Sequence, residues 1–142
     1  MTCSRTKGAA FERTIARELR DMLGIEFKRD LRQYQERNRS DLIADDPGFP
    51  FALELKRYAS GTDCKPVWEA QAIRAAQAEG KHPAVIWQFD RHPVVCRIWS
   101  DAYAESLGVT AVDGVKLDLS LEHFAYVCRE IMAIRTMRGG LG

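Results

Sequence analysis

The segment Phe51-Ala52-Leu53-Glu54-Leu55-Lys56-Arg57-Tyr58 sets a carboxylate and an ammonium two residues apart in an alternating apolar frame. In an extended strand, Phe51, Leu53 and Leu55 turn to one face, and Glu54 and Lys56 stand side by side on the other. A second carboxylate, Asp41, opens the preceding short strand, thirteen residues before Glu54. If those strands are neighbours, the two carboxylates converge with the Lys56 ammonium beside them. Such a set meets the needs of metal-assisted phosphodiester hydrolysis. Carboxylate oxygens hold a hard divalent cation, which polarises the phosphate and acidifies a water. The lysine orients that water or stabilises the charge of the pentavalent phosphorus. Acid-x-Lys alone is a weak signal, and this chain has four: Glu26/Lys28, Glu54/Lys56, Asp63/Lys65 and Glu79/Lys81. Only Glu54/Lys56 lies in a clean alternating strand that follows a turn from an aspartate-bearing strand.

The elements that must position these groups are legible in the pattern. A first helix is expected from about Thr6, its cap, to Leu23, with Gly24 closing it. Short strands follow at about Ile25–Leu31, Asp41–Ala44 and Phe51–Tyr58, the last two joined by the turn Asp45-Asp46-Pro47-Gly48. A second helix starts at Pro66 and stops at Gly80. Ala84–Phe89 and Val94–Trp99 form a hairpin, Ser100–Leu107 a short helix and Val115–Leu119 a strand. Ser120 caps a final helix to about Met137. This order gives a mixed sheet flanked by helices, an α/β domain without a linker.

The first helix adds a third carboxylate. At ~100° per residue, Phe11, Met22, Ile15, Leu19, Leu23 and Ala16 span an arc of about 140°, and Glu12 falls inside it. A carboxylate on a core-facing side needs a cation or a donor. A nearby metal site or Lys56 supplies one solution; a peripheral glutamate near the helix start, reaching solvent, is the other. Arg13, Arg17 and Arg20 share one flank of this helix, as a phosphate-tracking stripe or a solvated face. Between Lys28 and Arg39 lie five basic residues and Tyr34, immediately before Asp41. A loop there brings positive charge to the carboxylates and favours a polyanionic substrate. Gln71, in the second helix, is placed to reach back toward the strand ends.

Together these runs resemble the PD-(D/E)xK nuclease superfamily, and within it the archaeal-type and phage Holliday junction resolvases. The matching residues are Gly8-Ala9-Ala10-Phe11-Glu12-Arg13, Ser40-Asp41-Leu42-Ile43-Ala44, Ala52-Leu53-Glu54-Leu55-Lys56 and Gln71, across roughly residues 5–99. The resemblance implies a restriction-endonuclease-like αβββαβ core with an extra C-terminal helix. It also implies metal held by Asp41, Glu54 and the Leu55 carbonyl, with Glu12 as accessory carboxylate, Lys56 as catalytic lysine and Gln71 as helix-two partner. The cofactor expected is Mg²⁺, with Mn²⁺ as a substitute, and the assembly a homodimer that cuts near branch points of DNA. Ser40 stands where the superfamily pattern has proline. Candidate phosphate contacts are Arg13, Arg17, Arg29, Arg32, Arg37 and Arg39. The alternatives are a restriction-like or nicking nuclease for linear duplex, and a nuclease-fold DNA-binding or assembly protein without catalysis. Retention of Asp, Glu and Lys together speaks against the latter.

Composition bounds the rest. With 142 residues, 46% hydrophobic and 29% charged, the chain has the make-up of one ordinary globular domain, here 1–142 with a core at about 5–99 and a C-terminal extension at about 100–138. No apolar run approaches a membrane span and Met1–Ala10 has no signal-like core, so a cytoplasmic location is expected; the resemblance to phage resolvases adds the expectation of a phage or prophage origin. Cys3, Cys64, Cys96 and Cys128 show no zinc-ligand spacing, and His82, His92 and His123 are scattered; neither set reads as a metal site. Net charge is only +1, but residues 1–39 carry 10 basic against 6 acidic side chains and residues 40–64 carry 2 against 5. The C-terminal helix has an apolar stripe of Leu121, Phe124, Cys128, Ile131 and Met132, suited to core packing or to a dimer contact.

Overall fold

Alternating apolar strands and amphipathic helices assemble into one mixed sheet with helices on both faces in the computed structural model, which describes residues 4–30 and 39–140. The order is α1 (Ser4–Leu23), β1 (Phe27–Arg29), β2 (Leu42–Ala44), β3 (Phe51–Tyr58), α2 (Pro66–Glu79), β4 (His82–Phe89), β5 (Val95–Trp99), α3 (Ser100–Leu107), β6 (Lys116–Leu119) and α4 (Leu121–Gly140). The strands lie in sequence order across a six-stranded sheet. Every neighbouring pair is antiparallel except β3 and β4, which run parallel. A parallel pair needs a crossover, and α2 provides it, entered by Pro66 and closed by Gly80 in the left-handed conformation (φ 67°).

The pleat divides the sheet as the sequence predicts. Phe51, Leu53 and Leu55 join Phe11, Ile15 and Leu19 of α1 and Phe124, Val127, Cys128 and Ile131 of α4 in the main core. On the opposite face Val85, Trp87 and Phe89 pack with Trp68 and Ala72 of α2, and Ala52 packs with Ala75 and Ala76. An aromatic chain links β1 to α4: Phe27 meets Phe49 at 5.0 Å, Phe49 meets Phe51 at 6.3 Å, and Phe51 meets Phe124 at 4.9 Å. The α4 stripe is therefore core: Leu121, Phe124, Cys128 and Ile131 are buried and Met132 packs against them, which removes that stripe as a dimer contact.

Boundaries shift from expectation by one to three residues, and for local reasons. α1 already runs at Ser4, so Thr6 lies inside the helix instead of capping it. Gly24 does close it, with φ 71° and its N–H on the Arg20 carbonyl at 2.8 Å. Ser120 caps α4, its hydroxyl accepting the His123 N–H at 3.1 Å. β2 starts at Leu42, which leaves Asp41 just outside the ladder. Among the described residues no helix is long and apolar enough to cross a membrane.

One ionic clasp ties β4, α3 and α4. Glu105 accepts from Arg135 through both carboxylate oxygens (2.6 and 2.9 Å) and meets His82 Nε2 at 2.8 Å. The Arg135 hydrogen bonds, helped by His82 and opposed by burial, hold the Glu105 carboxyl at about 2 against an ordinary 4.5. Because the folded value is depressed, this stabilisation is present above pH ~4.5 and fades as pH falls toward ~2. Glu105→Gln is expected to cost about 1–3 kcal/mol at neutral pH and almost nothing near pH 2. Urea midpoints of the two proteins at both ends of that range check it.

Candidate active site

The shortness of β2 creates the site. The Cα register pairs Leu42 with Leu53, and the strand ends there, so the next residues of β3 have no β2 ladder beside them. Asp41 fills the break with both backbone and side chain. Its N–H donates to the Leu53 carbonyl at 2.8 Å, and its Oδ2 accepts the Leu55 N–H at 2.6 Å. A carboxylate thus replaces the missing strand as the acceptor for a buried amide. Glu54, between those two residues, turns to the α2 face, where its Oε1 meets Lys56 Nζ at 3.1 Å.

Asp41 and Glu54 are crowded acids. The Asp41 carboxyl is pushed well above the usual range, first by burial and next by the Glu54 charge, with Glu12 adding to it; the Leu55 N–H and Lys56 act in the opposite sense. Burial raises Glu54 as well, against the attraction and hydrogen bond of Lys56. Arg74 of α2 is close enough to favour the Glu54 anion. A buried carboxylate, Glu54, beside a half-buried one, Asp41, forms a site that gains from a cation.

Glu12 reaches the same region from α1, on the other face of the sheet, and is 8% exposed. Its burial is balanced by neither Lys56 nor Asp41's neighbours: Arg29 Nε donates to Glu12 Oε2 at 2.8 Å. Arg29, expected as a phosphate contact, is therefore also the counter-ion of the helix carboxylate. Arg39 likewise donates to buried Asp30 at 2.6 Å. Arg13 and Arg17 are exposed, and with Arg20, Lys28 and Arg29 they line a groove of about 450 Å³ between α1 and β1. Arg32 and Arg37 lie outside the described residues.

Gln71 sits on the sheet side of α2, one residue before Ala72 and four before Ala75. Its Oε1 is buried without a hydrogen-bond partner among the described residues. An orphaned buried acceptor calls for a donor or a hydrated ion. Among the described residues, no group of three His, Cys, Asp or Glu side chains gathers closely enough to ligate an ion by itself. The donor set that fits is Asp41, Glu54 and the Leu55 carbonyl. These are hard oxygens suited to a divalent cation that keeps several waters.

Two contributors escape the sequence reading. Ser40, at the position of the pattern's proline, is 2% exposed. Its N–H donates to Glu79 Oε2 at 3.0 Å, and its hydroxyl lies 3.1 Å from Glu79 Oε1. The carboxylate of an otherwise unremarked acid-x-Lys pair thereby braces the backbone entering Asp41, doing by hydrogen bonds what a proline ring does by covalent restriction. Arg74 is the other, a helix residue whose charge acts across to Glu54. Neither has a local sequence signal, since each depends on how α2 lies over β3.

A family model described as "Phage putative PDDEXK endonuclease" matches residues 3–134. No curated protein matches the chain. The family match extends well past residue 99, so the C-terminal part belongs to the family pattern and not only the core.

Arg29→Ala leaves Glu12 buried and unpaired, an expected loss of about 2–4 kcal/mol, most of it recovered in Glu12→Gln/Arg29→Ala. Chemical denaturation of the four proteins of that cycle measures the coupling. Asp41→Asn keeps an oxygen for the Leu55 N–H but removes the repulsion. With chelator present it should raise stability by about 1 kcal/mol, seen as a higher unfolding midpoint than wild type.

Proposed function

The chain belongs to the phage PD-(D/E)xK endonuclease family, and on that premise we propose that Asp41, Glu54 and Lys56 hydrolyse DNA phosphodiester bonds with a divalent cation, Mg²⁺ or Mn²⁺. The observation that carries this reading is the Asp41 carboxylate bound to the Leu55 N–H at 2.6 Å, between the Glu54 and Lys56 side chains that pair at 3.1 Å on the same strand as Leu55. When bound, the cation polarises the phosphate and acidifies a water. Asp41 and Glu54 supply oxygens for it, with the Leu55 carbonyl as a neutral third.

Lys56 is held over the site by Glu54 at 3.1 Å. From there its ammonium can donate to the attacking water or to the phosphate oxygen on which charge accumulates. Glu12 adds a negative field behind Asp41, and its pairing with Arg29 keeps that field from expelling the phosphate. Gln71 offers its buried acceptor to a water on the α2 side. The groove lined by Arg13, Arg17, Arg20, Lys28 and Arg29 takes the sugar–phosphate backbone without reading sequence. Arg29 belongs to both groove and site, so the bound strand enters the site along the groove.

The finer reading is a branch-selective enzyme, a Holliday junction resolvase acting as a homodimer in the cytoplasm of a phage-infected cell. Such an enzyme makes paired, symmetric cuts, and a linear-duplex nuclease does not distinguish branched from unbranched DNA. Wild type, Glu54→Ala and Lys56→Met are incubated with a four-way junction and a linear duplex, with Mg²⁺ or chelator. Symmetric junction cuts that chelator abolishes, reduced at least a hundredfold in both variants, are the expected result. Equal cutting of the linear duplex replaces the resolvase reading with the restriction-like or nicking one. DNA binding without cleavage in Mg²⁺ or Mn²⁺ removes catalysis. Arg13→Ala/Arg17→Ala should weaken DNA binding for all sequences alike and reduce the salt slope by about 2, read from binding isotherms at several salt concentrations.

A further inference from the structure

β3 continues beyond the catalytic lysine. Tyr58 follows Lys56 by two residues, on the same face, about 7 Å further along the strand. That step is of the order of one nucleotide of a bound strand. Tyr58 stacks on Trp68 of α2 with ring centres 5.4 Å apart and planes at 11°. Trp68 is itself 2% exposed and packs on Phe89 at 6.2 Å, so the inner side of the stack is anchored in the core. The Tyr58 ring remains 38% exposed.

The surroundings hold this ring in place without covering it. Arg57 donates to the Tyr58 carbonyl at 2.7 Å and pairs with Asp90 at 2.7 Å, fixing the end of the strand. The Lys65 ammonium lies 5.4 Å from the Tyr58 ring centre and 5.7 Å from that of Trp68. The ammonium is thus shared between the two stacked rings, and Tyr58 keeps more than a third of its surface accessible beside it. A fixed aromatic face, an adjacent cation and a neighbouring phosphate-cleaving group are the parts of a stacking platform for single-stranded nucleic acid.

We propose that Tyr58 stacks an unpaired nucleobase next to the phosphate held at Lys56, with Lys65 contacting that nucleotide's phosphate. The inference rests on the nuclease reading and deepens it: the substrate at this site is a strand whose base has left the duplex stack, as at a branch, flap or gap. A base inside an intact duplex has no free face to offer Tyr58. Tyr58 is a specificity residue in this account and takes no part in the bond-breaking step.

The test uses single-stranded and fully paired oligonucleotides of one sequence carrying 2-aminopurine, titrated with the full chain in chelator so that no cleavage occurs. Wild type and Tyr58→Phe should quench the unpaired 2-aminopurine, because both present a flat ring. Tyr58→Leu keeps bulk over Trp68 but no ring, and should lose the quench and about tenfold in affinity for the single strand. Its affinity for the paired duplex should stay within about twofold. Near-ultraviolet circular dichroism and thermal midpoints establish that the leucine variant is folded; if it is not, loss of quench in Tyr58→Phe overturns the proposal, and retention supports it. Equal quench and affinity in folded Tyr58→Leu and wild type also overturn it, as does an equal loss on single strand and duplex. Tyr58-dependent quenching in a protein that cleaves no DNA with Mg²⁺ would remove the nuclease reading and leave the stacking site standing. Cleavage indifferent to Tyr58 on both branched and linear substrates would do the reverse.

Discussion

Bringing two carboxylates together in a partly dry site is costly, and the fold is arranged around that cost. Asp41, at the entry to β2, meets the charge of Glu54 on β3, and burial weighs against the anionic form of both. Four supports hold them there: the Leu55 amide on Asp41, Lys56 on Glu54, Arg74 across from α2 and the Glu79 brace behind Ser40. None of them neutralises the pair completely. What remains is an electrostatic deficit of positive charge at the surface of the sheet, which a divalent cation and its hydration shell are suited to meet.

The same logic governs the charge distribution. Net charge of +1 conceals a basic first segment and an acidic second one. In three dimensions the basic residues of α1 and β1 line a groove that meets the acidic site through Arg29. On the function proposed above, a polyanion drawn to the first region would have to be admitted to the second. Arg29, paired with Glu12, is where opposite fields join, and it limits the repulsion a phosphate would meet.

How much of this the sequence carries depends on the range of the interaction. β3 is legible to the residue, because a two-residue alternation is local and the turn Asp45-Asp46-Pro47-Gly48 precedes it. Helical periodicity puts Glu12 on the core-facing arc of α1 but leaves open whether it reaches solvent; the fold buries it. Its partner is not legible, since Arg29 lies seventeen positions away and the pairing depends on how α1 crosses β1. Ser40 and Glu79 are separated by thirty-nine positions, and only the α2 crossover brings them together. The apolar stripe of α4 is legible as amphipathic, but periodicity cannot say whether its partner is the chain's own sheet or another molecule. The aromatic chain from Phe27 to Phe124 decides it, and that chain exists only in the folded sheet.

Strand order across the sheet follows chain order, with one parallel junction, and this bears on how the protein comes into being. Antiparallel neighbours can zip locally, whereas β3 and β4 cannot meet until residues 59–81 have wound into α2 and folded back. The Glu79 brace and Arg74 both arrive with that helix, as do Trp68 and Gln71. Loop closure at this junction is thus the step that completes both the tertiary structure and the reactive surface. A chain in which that closure has not occurred carries Asp41 and Glu54 without the Glu79 brace and the Arg74 charge that surround them in the folded sheet.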